Sequence, residues 1–223
     1  MDKFRGNPFF KILLFTSLSS VWLFLFGVIF YDSGFLWFLN WNLFLAWLPL
    51  ISAWMLCHHL KKNRWLSVQG IVWSVVWLVF LPNSFYIASD FVHLKVTATR
   101  ALLFTIVMLM SFTINGMILG FSSLYLVHRE LVKRLKPTTA HGVVTGVLLL
   151  SSFAIYLGRY LRWNTWDLLI NPAGLIFDIS DRLINPSSYA ETFRITFVFF
   201  VLLSSLYATI WQATRTLRDQ DKA

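Results

Sequence analysis

Charge is scarce in this chain. Asp, Glu, Lys and Arg make up 13% of its 223 residues and hydrophobic residues 57%, which leaves too little polar surface to cover a soluble globule of this size. The chain therefore belongs in a membrane. Cysteine is scarcer still: Cys57 is the only one, which excludes an intrachain disulfide framework. A small-residue cleavage site is also missing. Lys3, Arg5 and Lys11 precede an apolar stretch as in a secretory signal, but the stretch is too long and "FGVIFYDSG" is a poor site, so it reads as a retained helix. No Asp, Glu, Lys or Arg falls at the middle of any apolar run, which weakens a transporter built on a charged relay.

What is present is a series of apolar runs. A helix needs about 20 apolar residues to cross a hydrocarbon core of roughly 30 Å, and lipid tolerates no unpaired backbone. Six runs qualify, at 10–31, 35–57, 65–83, 101–127, 142–161 and 192–213. The expected fold is all-α: a polytopic transmembrane helical bundle of about six spanning helices, with short interfacial helices on the outer side. Residues 1–223 are expected to form a single integral membrane domain, with no soluble domain between the runs.

Basic residues set the expected sidedness, because Lys and Arg in short loops resist translocation. Alternate loops hold 13 of the 19 Lys and Arg, among them Lys61, Lys62 and Arg64, then Arg129, Lys133, Arg134 and Lys136, then Arg215, Arg218 and Lys222. The other loops hold Lys95, Arg100, Arg159, Arg162, Arg182 and Arg194, together with six of the ten acids. Both termini are expected to be cytoplasmic, in a multi-pass cell-membrane protein. The net charge of +9 is explained by topology and anionic lipid. Membrane lipids are the expected partners, and no nucleic acid is; the sequence points to no protein partner or oligomeric state.

Two outer segments carry the polar signals. In "LPNSFYIASDFVHL", residues 81–94, Pro82 lacks an amide donor, so the third helix is expected to end or kink there. Asn83, Asp90 and His93 follow at the outer surface, in a segment expected to lie in the interface or dip back into the bundle. Asn40 and Asn42 sit near the outer end of the second helix, ahead of Pro49, which is expected to kink it.

The other segment, 158–194, is strongly punctuated. Asn164 with Asp167 resembles an N-cap and first-turn acid, while Asn171 with Pro172 and Asn185 with Pro186 place a cap residue before proline. Three short helical starts are expected, and Ser188 with Glu191 has capping-box spacing for the last span. From 173 to 184, Leu175, Ile176, Ile179 and Leu183 share one helical face, with Asp178, Asp181 and Arg182 turned elsewhere, as in a helix lying in the membrane plane.

Arg159 and Arg162 are three apart and can share a helical face. With Asp90, His93 and Asp167 they are expected to form one outer polar cluster. Asn42, Asn83, Arg159, Arg162 and Asn164 are the candidate ligand-binding residues. Asp90, His93 and Asp167 are the candidates for acid–base catalysis. Asp90 and His93 alone do not make a zinc site, since His58, His59, His128 and His141 all fall on the cytoplasmic side and three or four ligands are needed. No metal or cofactor is expected. In the fourth helix, Asn115 beside Gly116 and Gly120 gives a small-xxx-small packing pattern.

The stretches "WNLFLAWLP", "FLPNSFYIASDFVHL" and "GRYLRWNTWDLL" together resemble a bacterial domain-of-unknown-function family of multi-pass membrane proteins. Its members show similar Trp-Asn, Leu-Pro-Asn, Asp-x-x-His-Leu and Gly-Arg-x-Leu-Arg-Trp-Asn motifs. The resemblance runs from about residue 35 onward. Asn42, Pro82, Asn83, Asp90, His93, Arg159, Arg162, Asn164 and Asp167 match those motifs. It implies a bacterial membrane location and brings no activity with it. The expected function is an outer polar pocket for an anionic lipid headgroup or lipid-linked substrate. A membrane transferase or hydrolase is compatible with that pocket, although no nucleophile motif supports one. A small-molecule transporter or a non-catalytic membrane scaffold are the alternatives.

Overall fold

The structure is a computed structural model that describes residues 8–97 and 99–220. Lys3, Arg5 and Lys222, which entered the charge count above, lie outside the described residues. Helices, short turns and no β-strand make up the described chain. The long helices are α1 (Pro8–Tyr31), α2 (Phe38–His59), α3 (Val68–Tyr86), α4 (Leu102–Val132), α5 (Pro137–Tyr160) and α8 (Ala190–Gln220), with short α6 (Asp167–Ile170) and α7 (Pro172–Ile184) between the last two. Six helical segments are long and apolar enough to cross a membrane, matching the six apolar runs. The chain divides into two compact units, 1–123 and 124–223, with α4 contributing to both.

In the first unit, α2 and α3 form a helical hairpin. Lipid supplies no hydrophobic drive between helices, so their association depends on close packing and on polar links. Both are present. Ser84 Oγ of α3 donates to the Ala46 carbonyl of α2 at 3.1 Å, and Trp77 Nε1 of α3 donates to Ser123 of α4 at 3.2 Å. Gly116 and Gly120 let α4 approach α3 closely: a Cβ on Gly116 would lie 2.5 Å from the Ser84 carbonyl oxygen. The Asn115 amide reaches α1, donating to Ser20 Oγ at 2.7 Å and to the Thr16 carbonyl at 3.1 Å. Asn115 is therefore a packing link between helices.

Of the two outcomes expected at Pro82, an end or a kink, the end does not occur there. α3 continues past it to Tyr86. The hydrogen bond that proline cannot donate is outweighed by packing, since Leu81, Ser84 and Phe85 are all fully buried. Beyond Tyr86 the chain tightens into a ten-residue 3₁₀ helix, Ile87–Val96, longer than the three or four residues such helices usually manage. Thr113 Oγ1 of α4 donates to the Ile87 carbonyl at its start. α2 likewise runs on through Pro49 to His59, and a short 3₁₀ turn, Ser33–Leu36, precedes it after Asp32, whose backbone is left-handed at φ 53°. Aspartate tolerates that region better than most residues.

In the second unit α5 packs on α8, and a small core of Tyr156, Leu157 and Leu175 joins α5 to α7. Several punctuation signals are revised here. Asn171 does cap α7, its Oδ1 accepting from the Gly174 amide at 3.1 Å, with Pro172 in the first turn. Asn185 instead ends α7: its backbone amide donates to the Asp181 carbonyl, and the chain turns through Pro186 before α8. Glu191 pairs forward with Arg194 at 3.6 Å, and the described hydrogen bonds hold no capping box with Ser188. Asn164 is not the cap residue of α6, which begins at Asp167. Finally, Arg182 does not turn away from the packed face of α7. It is 6% exposed, whereas Ile176 and Leu183 are 63% and 62% exposed. Arg182 follows Leu175 by seven residues and Asp178 by four, which places all three on one side of the helix.

Candidate functional site

Asn42 and Phe38 lie four residues apart on one face at the start of α2, while Asp90 and His93, three apart in a 3₁₀ helix of three residues per turn, also share a face. The two faces meet. Asn42 Nδ2 donates to Asp90 Oδ2 at 3.0 Å, and the His93 ring lies against Phe38 with centroids 4.8 Å apart, inclined at 49°. Asp90 is 1% exposed, and a buried carboxylate persists only with hydrogen-bond donors around it. His93 is half-buried. Asn83 stands seven residues before Asp90 and donates to the Phe80 carbonyl at 3.2 Å, while Asn40 donates to the Trp37 carbonyl at 3.3 Å. Thus Asn42, Asp90 and His93 come together in the first unit. Phe38 completes the group and carried no polar signal by which the sequence could flag it.

The second unit holds Arg159, Arg162, Asn164 and Asp167. α5 stops at Tyr160, and the Leu157 carbonyl accepts from both the Leu161 and Trp163 amides, at 3.1 and 3.2 Å. Between those donors Arg162 adopts the left-handed conformation, φ 61°. The two arginines therefore do not share a helical face, because the helix ends before the second. Arg159 is half-buried on the last turn and Arg162 is exposed. Asp167 turns back on the loop: its Oδ2 accepts from the Asn164 amide at 2.6 Å, which makes Asn164 and Asp167 a local turn.

A further network, invisible from composition, surrounds Arg182. Trp163 Nε1 donates to Asp178 Oδ2 at 2.7 Å, and Arg182 bonds the Asp178 carbonyl at 2.7 Å and its carboxylate at 3.3 Å. The Arg182 guanidinium also lies over the Tyr189 ring, 4.7 Å from its centroid, a cation–π contact. Asp181, three residues after Asp178, accepts from the Tyr189 hydroxyl and from Asn185 Nδ2 at 2.8 Å. The Tyr189 hydroxyl and then the Asn185 amide hold the Asp181 carboxyl below its ordinary value, and Asp181 in turn pushes the Tyr189 phenol up. The spacing of Asp178 to Arg182 and Asp181 to Asn185, both i,i+4, is the one signal that pointed to this network.

Among the described residues no three His, Cys, Asp or Glu side chains lie together as metal ligands. Six apolar helices with polar groups gathered at their ends define a multi-pass, all-α membrane protein. The chain belongs to the family described as "Protein of unknown function (DUF1361)", which matches residues 41–205. That range takes in Asn42 through Asp167 and leaves α1 outside it. No curated protein and no solved structure matches the chain.

Proposed function

We propose that the segment following α5, on the face that the Lys and Arg distribution assigns to the cell exterior, binds the anionic headgroup of a lipid or lipid-linked substrate, with Arg162 as the principal donor. One observation carries this. The exposed Arg162 guanidinium makes no hydrogen bond or ion pair among the described residues, while each acid of the segment has its own partner: Asp167 the Asn164 amide, Asp178 Trp163 and Arg182, and Asp181 Tyr189 and Asn185. Arginine offers five donors in a planar fork that fits phosphate. Around it, Trp166, Leu169, Ile170, Ile176 and Phe177 expose apolar surface, as suits a segment lying at the membrane interface. Binding is favoured over chemistry, since Asp167 is engaged in its own turn and Asp90 is almost wholly enclosed.

The left-handed backbone at Arg162 gives a clean test. Glycine occupies that conformation without strain, so Arg162→Gly should leave the thermal midpoint unchanged or slightly raised. Retention of anionic lipid, read by native mass spectrometry, should fall about fivefold, the equivalent of roughly 1 kcal/mol per basic residue. Arg162→Lys keeps the charge but loses the fork, so its retention should fall below the parent's while staying above that of Arg162→Gly. Parent-like lipid retention in Arg162→Gly would remove the site.

A further inference from the structure

We propose a second anion site, independent of Arg162: the groove between the end of α2 and the start of α3 seats the headgroup of an acidic phospholipid. The groove encloses about 480 Å³, within the range of roughly 300–1,000 Å³ of sites that hold small molecules. Its wall is apolar, from Met55, Val72 and Trp73, and its rim is basic, from His58, Lys61 and Lys62. The turn that presents the lysines is tied down. His59 Nε2 shares a hydrogen bond with Ser67 Oγ at 2.6 Å, and Ser67 accepts from the Gly70 amide at 3.2 Å, capping α3.

Charge complementarity selects the occupant. Among the described residues no carboxylate lines the groove. The described acids of the first unit are Asp32, before α2, and Asp90, after α3, each at the other end of a helix. The 22 residues of α2 span about 33 Å at 1.5 Å per residue, so neither acid can neutralise Lys61 or Lys62. Elsewhere the chain does supply counter-charge, pairing Lys133 and Arg134 with Glu130. The turn joins two spanning segments and so lies at a membrane surface, where the available amphiphilic anion is lipid. Phosphate would meet the lysines, and the glycerol and upper acyl chain would lie along Val72 and Trp73.

The test compares the full chain in neutral detergent supplemented with phosphatidylglycerol or phosphatidylcholine, reading bound lipid by native mass spectrometry. The parent should retain phosphatidylglycerol preferentially. K61Q/K62Q should lose that preference by roughly fivefold per lysine, K61R/K62R should keep it, and K136Q/R215Q, which removes equal charge from exposed positions outside the groove, should match the parent. The lysines are exposed, so the lipid-free thermal midpoint should not move. Parent-like retention by K61Q/K62Q, or an equal loss in K136Q/R215Q, overturns the site. Displacement of phosphatidylglycerol by inorganic phosphate alone would show a simple phosphate site and overturn the lipid assignment. None of these variants touches Arg162, so this site and the one after α5 fail separately.

Discussion

Gly116→Ala should destabilise the protein by about 2–3 kcal/mol, the upper part of the range for overpacking a tight interface. The added Cβ would sit 2.5 Å from the Ser84 carbonyl oxygen and 2.9 Å from Ile87 Cδ1. A backbone oxygen cannot rotate away, and Ser84 is itself held to Ala46 of α2, so relief requires α3 to move off α4. Gly120→Ala would meet Phe85 Cε1 at 2.7 Å and Ser84 Cβ at 2.8 Å, and since that Cβ is fixed by the α3 backbone and Phe85 is fully buried, it should destabilise as well. Gly146 in α5 is the control, since its Cβ would meet nothing within 4 Å. There alanine should be neutral or favourable, as helix propensity predicts. Thermal midpoints in one detergent decide the matter, and a Gly116→Ala midpoint equal to that of Gly146→Ala would mean the helices do not approach as described.

Asn42→Leu should cost about 2 kcal/mol, the scale of a hydrogen bond to a charged group. Leucine is close in size to asparagine but donates nothing, which leaves the enclosed Asp90 carboxylate short of the bond now made at 3.0 Å. Asp90→Leu should also destabilise, by stranding the Asn42 amide. The double variant Asn42→Leu/Asp90→Leu should then cost less than the two single changes added together, because removing both partners leaves neither unsatisfied. Strict additivity in that cycle would show that the two side chains act separately.

The spans were legible because hydrophobic length is a strong signal and lipid allows few alternatives to a helix. The cap at Asn171 was legible for a similar reason: asparagine before proline has a local geometric meaning that tertiary contacts rarely change. The helix does not end at Pro82 because the local rule is overridden by burial of Leu81, Ser84 and Phe85 around it. Arg182 is where the sequence misled. Its charge suggested solvent, but its position seven residues after Leu175 placed it inward, and Asp178 with the Tyr189 ring makes that tolerable. At the candidate sites, the meeting of Asn42 with Asp90 depends on a 3₁₀ register that no apolar periodicity reveals. The exposure of Arg162 depends on the helix ending two residues before it, at Tyr160.

The Arg162 proposal rests on the expectation, drawn from the Lys and Arg distribution, that residues 158–194 lie outside the cell, and single-thiol labelling of intact cells tests that expectation directly. In a Cys57→Ser background, a thiol at the exposed Ser187 should react with an impermeant maleimide added outside, while one at the exposed Lys133, a single span earlier, should react only after the membrane is opened. The reverse pattern would place Arg162 in the cytoplasm, and labelling of both thiols from the same side would mean that α5 does not cross.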